Sequence, residues 1–308
     1  MDAPLLTAKD AIELSDGRRL SYSATGRPGG IPVLYFHGAI GSPPQADDAL
    51  DGAIRDLGVR YLMLDRPGFG GSDSMPGRRV ADFSADVREF ADRLGLERFS
   101  VLGVSAGAPY ALASAAAMPD RVAAVAAVST IPPGFSPRRS GRTALVYRLP
   151  LMTLRAHPEP IEGIADAGLK LVRRRPAALR KLFSLGAASG DRDLLRGNQP
   201  REIAARRFLA ATARGSRPMI EDYLVCCSDW GFTLAEVSPI VHLWHGQRDP
   251  IIPIGHADAI RRELPHVWAR FIEAGHFFLR ARIGQILRPL AVAAAEPESR
   301  GFGDRLAA

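Results

Sequence analysis

The chain has 308 residues, of which 46% are hydrophobic and 24% are charged, and its formal net charge is +7. This composition is typical of a soluble globular protein with a sizeable core, and it excludes a disordered or collagen-like chain. The first thirty residues mix acidic and basic residues with short apolar pairs, so we expect no signal peptide. The longest apolar run, 122–128, is too short to cross a bilayer. We therefore expect a cytoplasmic protein with no membrane partner.

Short β-type runs alternate with helical stretches over the first hundred residues. Strands are predicted at 17–24, 32–36 and 60–64, and helical stretches at 44–57 and 81–94. The second and third of these strands are apolar almost throughout, which is typical of strands buried on both faces. The alternation favours a mostly parallel sheet that is covered by helices.

The pentapeptide GVSAG at 103–107 lies between the apolar run 99–102 and the helix-forming stretch 110–117. This order predicts a strand, a sharp turn and a helix, with Ser105 at the apex of the turn. Such a turn strains the backbone of the apical residue, and small residues on both sides avoid clashes with the strand and the helix. The pentapeptide alone is a weak signal for a nucleophile, because a serine between small residues is common in a chain rich in Gly and Ala.

A further strand is predicted at 122–129, and the sequence PPG at 132–134 then ends the alternation. Residues 131–236 contain sixteen Arg and two Lys against ten acidic residues, so this segment carries the whole basic excess of the chain. Its pattern is mainly helical. Helices are predicted in it around 176–185, 201–213 and 218–229.

The strand pattern resumes after this segment, with strands predicted at 240–244 and 268–272, a helix at 255–264 and a closing helix after His276. The sheet is therefore expected to be interrupted by a helical insert. We predict a core formed by 1–132 and 237–295, a helical cap (lid) formed by 133–236, and a flexible tail at 296–308.

Three residues have the chemistry of a nucleophile with its base and acid. A serine hydroxyl needs a base, usually histidine, and the histidine needs a carboxylate to fix its tautomer. Ser105, Asp249 and His276 occur in this order, and each follows a predicted strand. Because reactive groups gather beyond the carboxyl ends of parallel strands, we expect all three at one edge of the sheet.

The sequence HGAIG at 37–41 follows the strand 32–36, and its glycines allow backbone N–H groups to turn inward. With the amide of Ala106, the amide of Ala39 is a candidate oxyanion hole for the negative charge that develops on an attacked carbonyl. His37 is expected to pack this loop, since the oxyanion role needs only backbone amides.

Five motifs in this order resemble the α/β-hydrolase superfamily, from about Ile12 to about Leu290. The resemblance implies an α/β fold with a mostly parallel eight-stranded sheet flanked by helices, and an inserted helical cap between the sixth and seventh strands. It also implies Ser105 as nucleophile, Asp249 as acid, His276 as base, and an oxyanion hole at Ala39 and Ala106. The motifs are HG at 37–38 with Gly41, DRPGFGGSD at 65–73, GVSAG at 103–107, GQRD at 246–249 and GH at 275–276.

Two further positions separate branches of the superfamily. Epoxide hydrolases and haloalkane dehalogenases that resemble this layout carry an aspartate at the apex of the turn, so Ser105 disfavours those activities. Some members carry their acid after the sixth strand, where this chain has the sequence STI at 129–131. This absence of a carboxylate favours Asp249 as the acid.

We therefore predict a serine hydrolase that acts on a small-to-medium carboxylic ester, lactone or thioester through an acyl-enzyme. A peptidase or a C–C bond hydrolase on the same triad remains an alternative, as does a non-catalytic ligand-binding protein with this fold. For Trp230 and Phe232, ordinary packing of the cap is an equal alternative to a place at the pocket mouth. The candidate pocket residues are His37, Gly38, Ile40, Trp230, Phe232 and Phe277.

The basic segment 131–236 is most simply a set of solvated helix faces. An alternative hypothesis is that some of its arginines attract an anionic substrate or an acidic carrier protein. A nucleic-acid partner is not expected, because aromatic residues are not interleaved with the basic ones. The sequence leaves the oligomeric state open.

No metal or cofactor is expected. Cys226 and Cys227 are adjacent, which argues against a disulfide framework and provides no spaced set of metal ligands, so reduced and partly buried thiols are expected. The remaining histidines show no ligand spacing with carboxylates or thiols. These are His157, His242, His245, His256 and His266.

Overall fold

The computed structural model describes residues 8–39, 48–134, 152–154, 156–174 and 208–296. Within this part of the chain, eight strands form one sheet. They are β1 (Ala8–Glu13), β2 (Arg19–Gly26), β3 (Ile31–Phe36), β4 (Val59–Leu64), β5 (Phe99–Val104), β6 (Val122–Val128), β7 (Ile240–Gly246) and β8 (Val267–Ile272). The longer helices are α1 (Asp48–Leu57), α2 (Phe83–Arg93), α3 (Ala108–Ala117), α4 (Pro158–Arg174), α5 (Arg217–Cys226), α6 (Ile254–Glu263) and α7 (Leu279–Ala295).

The strand order across the sheet is β1-β2-β4-β3-β5-β6-β7-β8. Strand β2 is antiparallel to both of its neighbours, and every other pair is parallel. The predicted fold class, a mostly parallel eight-stranded sheet flanked by helices, is confirmed. Strand β1 was not predicted. Its sequence AKDAIE contains three charged residues and two alanines, so Ile12 is its one large apolar residue and no apolar run marks it as a strand.

Each side of the sheet has its own hydrophobic core. Helices α2, α3 and α6 cover one side, and α1 and α7 cover the other. Successive side chains of a strand point to opposite faces, so Val101 of β5 packs into the first core and Leu102 into the second. All seven residues of β6 are buried, which explains why the central strands are apolar throughout.

The described residues of the predicted cap include α4 and α5. Helix α5 matches the helix predicted at 218–229, whereas α4 was not predicted. Gly163 and Gly168 lie inside α4 and lower its helix propensity, which weakens the sequence signal. The helix predicted at 176–185 lies outside the described residues, and so does most of 201–213. Since much of 133–236 is not described, the division into core and cap stays a prediction.

None of the helices in the described part of the chain combines the length and the apolar character that a membrane span requires.

Cys226 and Cys227 are free thiols, and both are fully buried rather than partly buried. Burial raises the pKa of the Cys226 thiol well above its ordinary value, and the negative charge of Asp222 acts in the same direction. This thiol is therefore protonated and available as a hydrogen-bond donor.

Candidate active site

The nucleophile elbow, residues 103–107, joins β5 to α3. Ser105 has a φ of 53°, in the left-handed region that non-glycine residues seldom adopt. A Cβ on Gly103 would lie 2.5 Å from the Cα of Ala108, and one on Gly107 would lie 2.1 Å from the carbonyl oxygen of Phe36. Only glycine fits at either position, so these two residues allow the chain to hold Ser105 at the strained apex.

The three predicted residues Ser105, Asp249 and His276 meet beyond the ends of β5, β7 and β8. Nε2 of His276 lies 3.1 Å from Oγ of Ser105, and its Nδ1 lies 2.7 Å from Oδ2 of Asp249. A carboxylate only accepts hydrogen bonds, so Nδ1 carries the proton in this arrangement and Nε2 accepts from the serine hydroxyl. Ser105 is half-buried, whereas His276 and Asp249 are each 6% exposed. The arrangement is that of a nucleophile with its general base and its orienting acid.

Asp249 is held in its ionised form by its surroundings. Burial acts to raise the pKa of its carboxyl group, but the charge and hydrogen bond of His276 outweigh burial and leave the pKa below its ordinary value. The backbone amides of Ile251 and Ile252 donate to Oδ1 of Asp249 at 2.8 and 2.9 Å. One carboxylate oxygen is thus bound by the loop, and the other faces His276.

A second histidine lies near the same carboxylate. Nε2 of His245 is 3.6 Å from Oδ2 of Asp249, and it donates to the carbonyl oxygen of Ile252 at 2.8 Å. The pKa of His245 is below its ordinary value because burial outweighs the attraction of Asp249. A neutral His245 therefore holds the loop that carries Asp249.

Ser129 at the end of β6 contacts His276. It has a φ of 49°, and its hydroxyl donates to the carbonyl oxygen of His276 at 3.2 Å. The sequence indicated only that this position has no carboxylate. The contact with His276, 147 residues away, has no local sequence signal.

The loop predicted to carry one oxyanion donor lies against the elbow. A Cβ on Gly38 would lie 3.4 Å from the Cβ of Ser105, so the backbone of this loop approaches Ser105 closely. Ala39 is half-buried, Ala106 is 3% exposed, and Ile40 lies outside the described residues. Ala106 follows Ser105 in the elbow, and Ala39 follows Gly38 in the loop that approaches Ser105, so the oxyanion roles of their two amides stay a prediction.

His37 has the contacts of a loop-packing residue. Its Nδ1–H donates to the carbonyl oxygen of Gly38 at 2.8 Å, and its Nε2 accepts the backbone N–H of Arg66 at 3.3 Å. Burial and the positive charge of Arg66 hold the pKa of His37 well below its ordinary value. The ring packs edge-on against Phe69, with 4.8 Å between the ring centroids. These contacts favour a neutral His37 that orders the loop.

The three aromatic candidates for the pocket have different surroundings. Trp230 is 1% exposed, and its indole N–H donates to the carbonyl oxygen of Cys226. Phe232 stacks on Trp230, with 5.7 Å between the ring centroids. Phe277 is half-buried and packs edge-on against His276, with 5.1 Å between the ring centroids. The structure thus favours packing for Trp230, and the pocket roles of all three stay predictions.

A buried ionic cluster beneath the elbow was missed in the sequence. Nη1 of Arg66 lies 2.5 Å from Oδ2 of Asp222 in α5, and Arg78 lies 3.3 Å from Oδ1 of the same carboxylate. The hydroxyl of Tyr110 donates to Oδ1 at 2.8 Å. Burial and the charge of Asp222 raise the pKa of Tyr110 well above its ordinary value, so it stays a donor. We call these four residues the Asp222 cluster.

A cleft of about 720 Å³ lies at the β1–β2 edge of the sheet. It is lined by residues such as Asp10, Arg19, Tyr22 and Asp65, and no residue of the triad lines it.

Among the residues that the structure describes, no three His, Cys, Asp or Glu side chains come together to hold a metal ion. Of the basic residues of 131–236 that were expected to face solvent, Arg173 and Arg174 are exposed, while Arg175, Arg206 and Arg207 lie outside the described residues.

Comparison with known proteins agrees with this fold. A family model described as the alpha/beta hydrolase fold matches residues 31–151. The chain is 34% identical over 126 residues to a non-heme chloroperoxidase of Streptomyces lividans, covering 40% of this chain and 45% of that protein. It is 27% identical over 114 residues to a proline iminopeptidase of Neisseria gonorrhoeae, covering 36% of each. The chain thus matches less than half the length of these curated relatives.

A solved structure of a thermophilic esterase from Thermogutta terrifontis superposes with a TM-score of 0.65 at 21% identity. The superposition covers 94% of this chain and all of that one, so the shared fold extends far beyond the region of sequence similarity. The chain has the alpha/beta hydrolase fold, which its sheet order shows and which the family model supports over residues 31–151.

Proposed function

We propose that this chain is a serine hydrolase that cleaves a small-to-medium carboxylic ester, lactone or thioester. The observation that carries the proposal is the continuous hydrogen-bonded chain from Ser105 through His276 to Asp249. A buried, ionised Asp249 favours the imidazole tautomer in which Nε2 is free to accept the serine proton.

The proposed reaction proceeds in two halves. Nε2 of His276 takes the proton of the Ser105 hydroxyl as Oγ attacks the substrate carbonyl carbon. The carbonyl oxygen becomes negative and accepts hydrogen bonds from the backbone amides of Ala39 and Ala106. The tetrahedral intermediate collapses, the bond to the leaving group breaks, and His276 protonates the departing alcohol or thiol. The product of this half is an acyl ester on Ser105.

Water then repeats the sequence. His276 takes a proton from the water as its oxygen attacks the acyl carbon, and the oxyanion is again bound by the two amides. Collapse releases the carboxylic acid, and the proton on His276 returns to Oγ of Ser105. Asp249 stays ionised throughout and stabilises the imidazolium that forms in each half.

The first test uses a fluorophosphonate probe and a chromogenic short-chain ester. We expect the wild-type protein to become labelled at Ser105 and to turn over the ester. Ser105→Ala should abolish both without lowering the thermal midpoint, since the removed hydroxyl is half-buried. Ser114→Ala is the matched control: its hydroxyl bonds to the carbonyl oxygen of Tyr110 within α3, and both activities should persist.

Two outcomes would change the proposal. An unlabelled wild-type protein would contradict it and would favour a ligand-binding protein that retains the hydrolase fold. Labelling without ester turnover would favour the peptidase alternative, which the similarity to a proline iminopeptidase supports. That alternative uses the same triad and is tested by the hydrolysis of a prolyl naphthylamide.

An attraction of the basic segment for anionic substrates stays a prediction. It is tested by comparing kcat/KM for acidic and neutral esters at rising salt concentration.

A further inference from the structure

Arg66 contacts both of the loops that carry the proposed oxyanion donors. Its Nη1 donates to the carbonyl oxygen of Ala106 at 3.0 Å, and its backbone N–H donates to Nε2 of His37 at 3.3 Å. The side chain is fully buried. One residue thus joins the elbow to the loop that carries Ala39.

Asp222 determines where the guanidinium of Arg66 lies. The same Nη1 that reaches Ala106 is 2.5 Å from Oδ2 of Asp222, and this carboxylate is fully buried. The guanidinium also lies over the rings of Phe69 and Tyr110, 5.2 and 5.1 Å from their centroids. A buried charge with an ionic partner and two ring faces has little freedom to reorient.

We infer that Arg66 is a positioning residue that fixes the two halves of the oxyanion hole relative to each other, and that Asp222 of α5 holds it in place. Packing of α5 against the core therefore assembles the hole. This inference rests on the proposed function. Its physical basis is that oxyanion donors stabilise a transition state only when they are held within about 0.5 Å of the required geometry.

Two hydrogen bonds fix the position of Ala106 in the elbow. The Ala106 carbonyl oxygen accepts hydrogen bonds from Nη1 of Arg66 and from the thiol of Cys226, the latter at 3.4 Å. These two donors fix the plane of the peptide that follows Ala106. The N–H of Ala106 is attached through the same Cα, so a shift of Ala106 on loss of these donors would also displace the proposed oxyanion donor.

Arg78 offers a matched control inside the same cluster. It pairs with Oδ1 of Asp222 at 3.3 Å and donates to the carbonyl oxygen of Met75, also at 3.3 Å. Neither of these contacts is with the loops that carry Ala39 and Ala106. Loss of the Arg78 side chain therefore perturbs the ionic cluster as loss of the Arg66 side chain does, but it leaves the hydrogen bond from Arg66 to Ala106 in place.

The test compares Arg66→Met, Arg66→Lys and Arg78→Met in the full-length chain. Arg66→Lys keeps the buried charge and so the fold, but an ammonium lacks the planar set of donors that reaches two acceptors. Active sites are titrated with the fluorophosphonate probe, and kcat and KM for the chromogenic ester are expressed per titrated site. Affinity for a trifluoromethyl ketone is measured in parallel, because its hemiketal oxyanion binds in the oxyanion hole.

We expect both Arg66 variants to lose at least tenfold in kcat per titrated site, with KM changed less than threefold. Ketone affinity should fall by a similar factor, whereas Arg78→Met should stay within twofold of the wild type in both measurements. Equal behaviour of Arg66→Lys and Arg78→Met would overturn the inference, and so would a lower kcat with unchanged ketone affinity. An unlabelled wild-type protein would instead refute the proposed function itself.

Discussion

The Asp222 cluster makes a strong prediction about stability. Asp222→Asn keeps the size and shape of the side chain but removes the negative charge between Arg66 and Arg78. All three side chains are at most 2% exposed, and an arginine does not lose its proton in a protein. The substitution therefore leaves two buried positive charges without an ionic partner.

The expected cost follows from breaking a buried ion pair on one side, which is about 3–5 kcal/mol. The entropy of unfolding is roughly 2.1 cal/mol/K per residue, which gives about 0.65 kcal/mol/K for a chain of this length. Asp222→Asn should therefore lower the thermal midpoint by about 5–8 °C.

Differential scanning calorimetry measures this shift, and the adjacent residue supplies the control. Glu221 lies on the same helix and pairs with Arg217 at 2.7 Å, but the side chains of this pair are 29% and 68% exposed. Because exposed pairs four residues apart contribute only about 0.3–0.5 kcal/mol, Glu221→Gln should move the midpoint by less than about 1 °C. Equal shifts of the thermal midpoint in Asp222→Asn and Glu221→Gln would refute the interpretation that the negative charge of Asp222 neutralises the buried charges of Arg66 and Arg78.

Three further predictions follow from the site and its supports. Asp249→Asn should lower kcat by roughly 10³–10⁴-fold, since the imidazole then takes the wrong tautomer; ester hydrolysis near pH 8 measures this, and a loss under tenfold would contradict the role. Burial lowers the pKa of His242 to about 4, whereas an exposed histidine in the unfolded chain has a pKa near 6.5. The contribution of the neutral ring to folding stability is therefore fully present above pH 6.5, and it is lost as the pH falls toward 4 because the unfolded chain then binds a proton that the folded one does not. In urea unfolding between pH 7 and 4.5, the wild type should lose more stability than His242→Gln, by on the order of 2 kcal/mol, and equal losses in the two proteins would argue against a buried neutral His242. Gly107→Ala places a Cβ 2.1 Å from the carbonyl oxygen of Phe36 and should abolish probe labelling, whereas Gly52→Ala in α1 meets no atom within 4 Å and should leave labelling intact.

Local patterns carried most of the fold prediction. The apolar runs of β3 and β4 and the alternation with helices predicted a parallel sheet, because strands buried on both faces need apolar side chains on both. The elbow was predictable for a similar reason: the steric need for small residues on both sides of a strained turn is met within five consecutive positions.

Two elements show where local patterns were insufficient. Strand β1 is an edge strand that pairs only with β2, so its sequence needs no apolar run. Helix α4 has only Leu169 fully buried and two internal glycines, so neither a wide apolar face nor high propensity marked it. In both cases the burial that produces a sequence signal is small.

By itself, the sequence determined which residues have the chemistry of a nucleophile, a base and an acid, and that each follows a strand. Only the tertiary structure decided that the imidazole of His276 lies between Ser105 and Asp249, and that Arg66 meets Asp222 across 156 positions of the chain. The physical reason is that side-chain periodicity and turn sterics act over a few residues. Contacts between distant residues depend on strand order and helix packing, which no local pattern specifies.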